Sequence, residues 1–273
     1  MLLKKTRFNR LVTNLMIAGM VGALGLESAV ACTRIMFSGP NNVVVTGRSM
    51  DWVEDQKANL WALPRGASYT GSAGPNSIKW TSKYGSVITT AYDVGAGDGM
   101  NEKGLVANLL YLSNAQFGKV GNKPTLSSHM WAQYALDNFA TVDEAVKALR
   151  AEPFRIVPPL LPNGSASTFH LSLSDASGDS AIFEYLNGNL VVHHGKQFNV
   201  MTNEPSFDSQ LAIIRQNIKL QNDALDIVKV QKEGARATEL AVQKFQAEVL
   251  ASQHLEYETL QMIRETENRI NFL

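Results

Sequence analysis

The chain has 273 residues, of which 45% are hydrophobic and 18% charged. That composition is globular and excludes a disordered, collagen-like or purely coiled-coil chain, and the length suffices for one large domain or two small ones. Basic and acidic side chains balance at 25 each, which argues against a nucleic-acid binder, and a lone cysteine excludes an intramolecular disulfide and a thiolate zinc cluster.

Residues 1–31 read as a secretory signal. Lys4, Lys5, Arg7 and Arg10 make a positive start, Leu15–Leu26 is a mostly apolar stretch of twelve residues, and Ala29-Val30-Ala31 is small at both positions a signal peptidase reads. The apolar run is short for a membrane span; the alternative is an uncleaved anchor. Cleavage between Ala31 and Cys32 predicts a secreted or periplasmic chain with a net charge of −3. No later segment approaches spanning length, so no membrane association is expected after cleavage.

The cut falls directly before Cys32, the only cysteine. Three fates compete: a free N-terminal residue, a lipidated cysteine as in bacterial lipoproteins, or an inert buried thiol. The first is chemically useful. A thiol needs a base to attack an amide carbonyl, and a free α-amine, with a pKa near 7.7–8.0, can take the thiol proton and later return it to the leaving amine. One residue then supplies nucleophile and base.

Cys32–Ser38 predicts a strand, Gly39-Pro40-Asn41-Asn42 a turn and Val43–Ser49 a second strand. With Pro40 and Asn41 central in the turn, Cys32 faces Ser49; a turn of another length slips this by one residue. The hairpin carries Arg48 and Asp51 toward Cys32. Arg48 would favour the thiolate and Asp51 would orient the amine. The alternative is an exposed ion pair at a strand end, which contributes little.

Ser86–Asp93 predicts a strand, and the turn Asn101-Glu102-Lys103-Gly104 leads into an apolar strand, Leu105–Leu112. Ser127–Phe139 has helical spacing, and Thr141-Val142-Asp143-Glu144 is a capping-box start for a second helix. Pro153–Pro162 holds four prolines and predicts a loop near a substrate entrance. Hairpins turn at Asp175–Asp179 and at Asn187-Gly188, the latter a type I′ signal. Trp52, Trp61 and Tyr111 are candidates to line an apolar acyl pocket, the alternative being core aromatics. His193 and His194 are adjacent strand residues that point to opposite faces, so no metal site or cofactor is expected. Residues 216–273 contain no proline and one glycine, Gly234. Val242, Phe245 and Val249, then Leu260, Ile263 and Ile270, recur at helical spacing, which predicts an amphipathic helical tail, broken at Gly234, with a surface for self-association as a homo-oligomer.

Several segments are similar to one known family. Cys32 behind a signal, GRSMDW (47–52), DGMNEKGL (98–105), DNFATVDEAV (137–146), HLSLSDASGDSAIFEY (170–185) and VMTNEPSFD (200–208) resemble the choloylglycine hydrolases. That family includes conjugated bile acid hydrolases and penicillin V acylases. NLW (59–61) and WTSKYGSV (80–87) resemble its Gram-negative penicillin V acylase branch. The resemblance implies an α+β fold, the αββα sandwich of N-terminal nucleophile hydrolases, over 32–215, followed by the helical segment 216–273. It implies Cys32 as nucleophile and base, Arg48 and Asp51 as the site pair, and the Asn203 side chain as an oxyanion donor. The backbone N–H of Tyr111 would be the second donor, and an aromatic there leans toward acylases. An amide donor aimed at a developing oxyanion stabilises it by about 2.7–4 kcal/mol.

The family also has further strands and an active-site arginine in a stretch like RFVR, and residues 216–273 hold no such stretch. The sandwich is therefore expected to be incomplete. Two classes follow: a linear amide hydrolase acting on small acyl amides such as penicillin V, N-acyl homoserine lactones or bile conjugates, or an inactive member acting through its helical tail.

Overall fold

The computed structural model describes residues 32–39, 43–52, 54–233 and 239–253. The expected signal segment, turn residues 40–42, Gly234 and the apolar positions Leu260, Ile263 and Ile270 lie outside them.

The N-terminal hairpin is β1 (Thr33–Ser38) and β2 (Val44–Ser49). Then come β3 (Leu60–Leu63), β4 (Ser68–Thr70), β5 (Lys79–Thr81), β6 (Ser86–Ala91), β7 (Gly95–Asn101), β8 (Val106–Tyr111) and β9 (Thr125–Ser127). Helices α1 (Trp131–Asn138) and α2 (Val142–Leu149) follow, then β10 (Arg155–Val157), β11 (Phe169–Ser174), β12 (Ser180–Leu186), β13 (Asn189–His194), β14 (Val200–Thr202) and helix α3 (Phe207–Glu233). Residues 239–253 form a further helix, α4.

Seven strands make one antiparallel sheet in the order β13-β12-β11-β8-β7-β6-β3, and three make a second in the order β14-β1-β2. The period-two pattern decides what each face of the large sheet meets. Leu171 and Leu173 of β11, Ala107 and Leu109 of β8, and Ala181 and Phe183 of β12 pack with Trp131, Leu136 and Val146 of the helices in the main apolar core. The alternate residues face the small sheet. There Leu110 and Ile182 pack against Cys32 and Met201, beside a buried polar layer of Arg34, Asn108, Ser172 and Ser180. Helix α1 lies so close to β7 that a Cβ at Gly99 would stand 2.7 Å from Leu136 Cδ1 and 2.9 Å from the Val87 carbonyl oxygen. Only glycine admits that approach.

Local signals in the sequence reappear as geometry. Thr141 Oγ1 accepts from the Glu144 N–H at 3.2 Å, and Glu144 Oε2 accepts from the Ala140 N–H at 2.8 Å, which fixes the start of α2. Asn187 and Gly188 both have positive φ, 51° and 79°, as a type I′ turn between β12 and β13 requires. The helical spacing over Ser127–Phe139 resolves differently: β9 ends at Ser127, a 3₁₀ turn covers Ser128–Met130, and the α-helix begins at Trp131. At the far end α3 begins at Phe207 and runs unbroken through residues 215 and 216, so the composition shift there falls inside a helix. Leu225 of α3 packs with Val242 and Val249 of α4, flanked by Phe245.

Candidate active site

The hairpin register differs from the expected one by a residue. Gly39 N–H donates to the Val43 carbonyl at 2.8 Å, and Thr33 pairs with Ser49 and Arg34 with Arg48. The loop is one residue longer than a two-residue turn. The difference matters because a slip of one reverses a strand's faces. With Cys32 opposite Ser49, Arg48 would point away from Cys32. In the observed register Cys32, Arg34, Arg48 and Met50 share the inner face.

Cys32 is 2% exposed, and its Sγ lies 3.4 Å from the backbone carbonyl of Asp51 in a weak S–H···O bond. It stands at one wall of a cavity that opens to solvent and is lined also by Arg48, Trp52, Tyr111, Leu161 and Phe169. The apolar wall is a run of edge-on rings: Trp52 and Tyr111 centroids are 5.3 Å apart and Tyr111 and Phe169 6.4 Å apart. Three loops are tied together at the rim. Trp52 Nε1 donates to Tyr92 Oη at 3.1 Å, Tyr92 donates to Glu54 Oε1 at 2.6 Å, and Asn163 Nδ2 donates to the same oxygen at 2.9 Å. The proline-rich loop thus reaches the cavity through Leu161.

Arg48 does not form the exposed ion pair with Asp51 that was the alternative at this strand end. Its Nη1 lies 2.5 Å from Asp98 Oδ2, with the two side chains 10% and 19% exposed. Asp98 Oδ1 accepts from Asn108 Nδ2 at 2.8 Å, and Asn108 Oδ1 accepts from Arg34 Nε at 3.3 Å. Arg34 is fully buried and also donates to Ser180 Oγ and the Asn199 carbonyl. Burial lowers its guanidinium to about 10, which leaves it protonated at neutral pH. Asp98 thus stands between two guanidinium groups, bonded to the partly buried Arg48 and linked to the fully buried Arg34 through Asn108. Asp51 is exposed and accepts from Ser49 Oγ at 3.0 Å.

Asn203 arrives from the other side of β1. Thr33 pairs with Thr202, and the next residue donates its N–H to the Cys32 carbonyl at 3.1 Å. Its side-chain Oδ1 accepts the Tyr111 N–H at 3.1 Å. The two groups expected to bind one substrate oxygen thus bond each other, and an oxygen taking the Tyr111 N–H competes with Asn203 Oδ1.

Trp61 is the aromatic that the structure separates from the rest. It sits on edge strand β3, 50% exposed, donates from Nε1 to Asp93 Oδ1 at 3.2 Å, and lines an adjoining depression with Tyr69 and Gln133. His193 and His194 point apart, toward Glu184 and Asp179 respectively. The cavity also holds His129, which no sequence pattern marks; desolvation lowers its pKa, and its Nδ1 is 2.8 Å from Ser127 Oγ. Asp98 and Asn108 did carry a signal, since they flank the predicted turn at 101–104 and face each other across the β7–β8 hairpin.

Residues 32–241 match the family of linear amide C–N hydrolases, choloylglycine hydrolase family. The chain belongs to that family. Among its relatives, a penicillin V acylase of Pectobacterium atrosepticum is 51% identical over 204 residues, covering 70% of this chain and 54% of that protein. A bile salt hydrolase/transferase of Bifidobacterium longum subsp. longum is 27% identical over 201 residues, covering 70% and 61%. The structure of penicillin V acylase from Agrobacterium tumefaciens aligns with a TM-score of 0.63 at 56% identity, over 68% of this chain and 56% of that one. A mutant conjugated bile acid hydrolase from Clostridium perfringens gives 0.59 at 25% identity, over 68% and 57%. The fold is α+β, of the N-terminal nucleophile hydrolase type, with a helical C-terminal segment. The chain spans about half the length of the relatives it matches.

Proposed function

We propose that this chain is a linear amide hydrolase of the penicillin V acylase type, exported and cleaved between Ala31 and Cys32 to act in the periplasm or outside the cell. The observation that carries the reading is the lone thiol: it lies in the wall of an aromatic-lined cavity beside Arg48, with Tyr111 N–H and Asn203 next to it. Cys32 Sγ attacks the amide carbonyl as its α-amine takes the thiol proton. The oxyanion draws on the Tyr111 N–H and the Asn203 side chain, the C–N bond breaks, and the amine leaves with the proton. Water, activated by the same α-amine, then hydrolyses the thioester. Arg48, held by Asp98, supplies positive charge at the thiol, and the exposed Asp51 carboxylate orients the amine. Trp52, Tyr111 and Phe169 take the apolar acyl part of the substrate.

The deciding assay offers the cleaved chain penicillin V, a long-chain acyl homoserine lactone and glycocholate, with Cys32→Ser as control. Turnover absent from the control supports the reading. A folded chain with a free Cys32 amine and no turnover, or a control as active as the parent, refutes it.

One observation favours a second reading through the tail. Ile213, Leu220 and Ile227 of α3 recur every seven residues and are all exposed, a seam suited to a second copy of this helix. Sedimentation of the parent and of a chain with Leu220→Glu tests it: a dimer that the substitution abolishes supports the seam, and a monomeric parent removes it.

A further inference from the structure

Glu184 lies outside the proposed machinery, and its setting is unusual for a carboxylate. Its side chain is fully buried on the face of β12 that meets the small sheet. Three elements converge on it. His170 Nδ1 of β11 is 3.0 Å from Oε1, and His193 Nε2 of β13 is 3.5 Å from Oε2. The N–H of Phe207, first residue of α3, points between the two oxygens at 3.1 and 3.2 Å. With Glu184 ionised, the His170 Nδ1 must carry its proton. Burial by itself would raise the Glu184 pKa; the hydrogen bond from His170, the nearby His193 ring and the Phe207 N–H more than offset it and hold it down at about 2. A carboxylate at the start of a helix also meets the positive end of the helix dipole.

Phe207 closes a short turn that begins at Asn203. The turn has three anchors: Asn203 N–H on the Cys32 carbonyl at 3.1 Å, Glu204 Oε1 on the Ser113 N–H at 2.9 Å, and Phe207 N–H on Glu184. The Phe207 ring meets His193 at a tilt of 45°, 4.9 Å between centroids, and Phe198 at 5.1 Å. Phe198 and Phe207 then pack against the cluster containing Cys32. The far anchor of the turn is thus set by one carboxylate on the rigid large sheet.

We propose that Glu184 is a positioning residue for Asn203, holding the end of the 203–207 turn so that the Asn203 side chain stays aligned with the Tyr111 N–H beside Cys32. This rests on the hydrolase reading above, and it has a readout that does not. Glu184→Gln keeps the shape but puts an NH₂ group against donors. If Glu184 acts through Asn203, the backbone amide resonance of Tyr111, which reports its bond to Asn203 Oδ1, moves in a ¹⁵N spectrum while amides of β11 away from residue 170 stay in place. Turnover of penicillin V falls by about 10- to 100-fold in kcat, the scale of a small misplacement, with KM within about twofold. Alkylation of Cys32 by iodoacetamide, which forms no oxyanion, keeps its rate. In an Asn203→Ala background the second substitution adds nothing.

An unmoved Tyr111 resonance, or a loss in kcat that adds fully to that of Asn203→Ala, overturns the proposal. Parent chain without turnover refutes the hydrolase reading, and the Tyr111 resonance then decides the positioning claim by itself. Where Glu184→Gln does not fold, Glu184→Asp replaces it. It keeps the charge and withdraws the carboxylate by one methylene, and the same resonance must move.

Discussion

Replacing Asn203 with alanine separates a catalytic role from a structural one, because the two make opposite demands on KM. In the structure Asn203 Oδ1 accepts the Tyr111 N–H at 3.1 Å, and Asn203 is 4% exposed. Truncation leaves a partly buried N–H without its acceptor and costs about 1 kcal/mol or more of stability. It also removes a side-chain donor from the oxyanion, which costs about 2.7–4 kcal/mol in the transition state, or roughly 100- to 1,000-fold in kcat. Substrate binding pulls the other way. In the parent, a substrate oxygen must compete with Asn203 Oδ1 for the Tyr111 N–H; in Asn203→Ala that donor is waiting. KM should therefore stay level or fall while kcat collapses. The assay is steady-state amine release from penicillin V, run beside urea unfolding of both chains. A raised KM with kcat intact, or the stability loss with full kcat, would show that Asn203 is only a turn residue and would refute the oxyanion argument.

The parts of the fold that could be read in the sequence are those set within a few residues. The Asn187-Gly188 turn needs two positive φ values, and the Thr141–Glu144 box needs one helical turn. Strands of three residues, such as β4, β5, β9 and β10, carry no usable period. The site was half legible. Cys32, Arg48, Tyr111 and Asn203 do come together, but the partner of Arg48 does not follow from spacing. Hairpin register depends on a single residue of loop length, and that residue decides whether Arg48 faces Cys32 or turns from it. Asp98 then wins over Asp51 because it sits on the neighbouring large sheet within reach of the partly buried guanidinium, whereas Asp51 lies past the strand end in water. Trp61 fails for a related reason: aromatic character says nothing about which side of a loop a ring will occupy, and residues 92–95 come between it and Cys32.

Three further outcomes are expected. Asp98→Asn leaves the partly buried Arg48 without its counter-charge and should destabilise the fold by up to about 3 kcal/mol; an unchanged urea midpoint would show that the pair contributes nothing. Trp52→Ala should raise KM by roughly tenfold through lost apolar contact, while Trp61→Ala leaves it alone; equal effects of the two would return Trp61 to the acyl pocket. The last concerns Asp137, a buried carboxyl on α1. Desolvation pushes its pKa up to about 6, only partly countered by hydrogen bonds from Trp80 Nε1 and Gln133 Nε2, each at 2.7 Å. A carboxyl whose folded-state value lies above its unfolded one stabilises the protein below the unfolded value of 3.8 and loses that contribution as pH rises through about 6. The shift of about two units is worth about 3 kcal/mol. Asp137→Asn removes the ionisation, and Gln133, whose Oε1 is buried without a partner, can turn its amide to accept from the new side chain. The variant should be more stable than the parent at pH 8 and should lose that advantage at pH 4. A stability difference that is the same at both pH values would mean that Asp137 stays ionised in the fold, and that the two donors outweigh its burial.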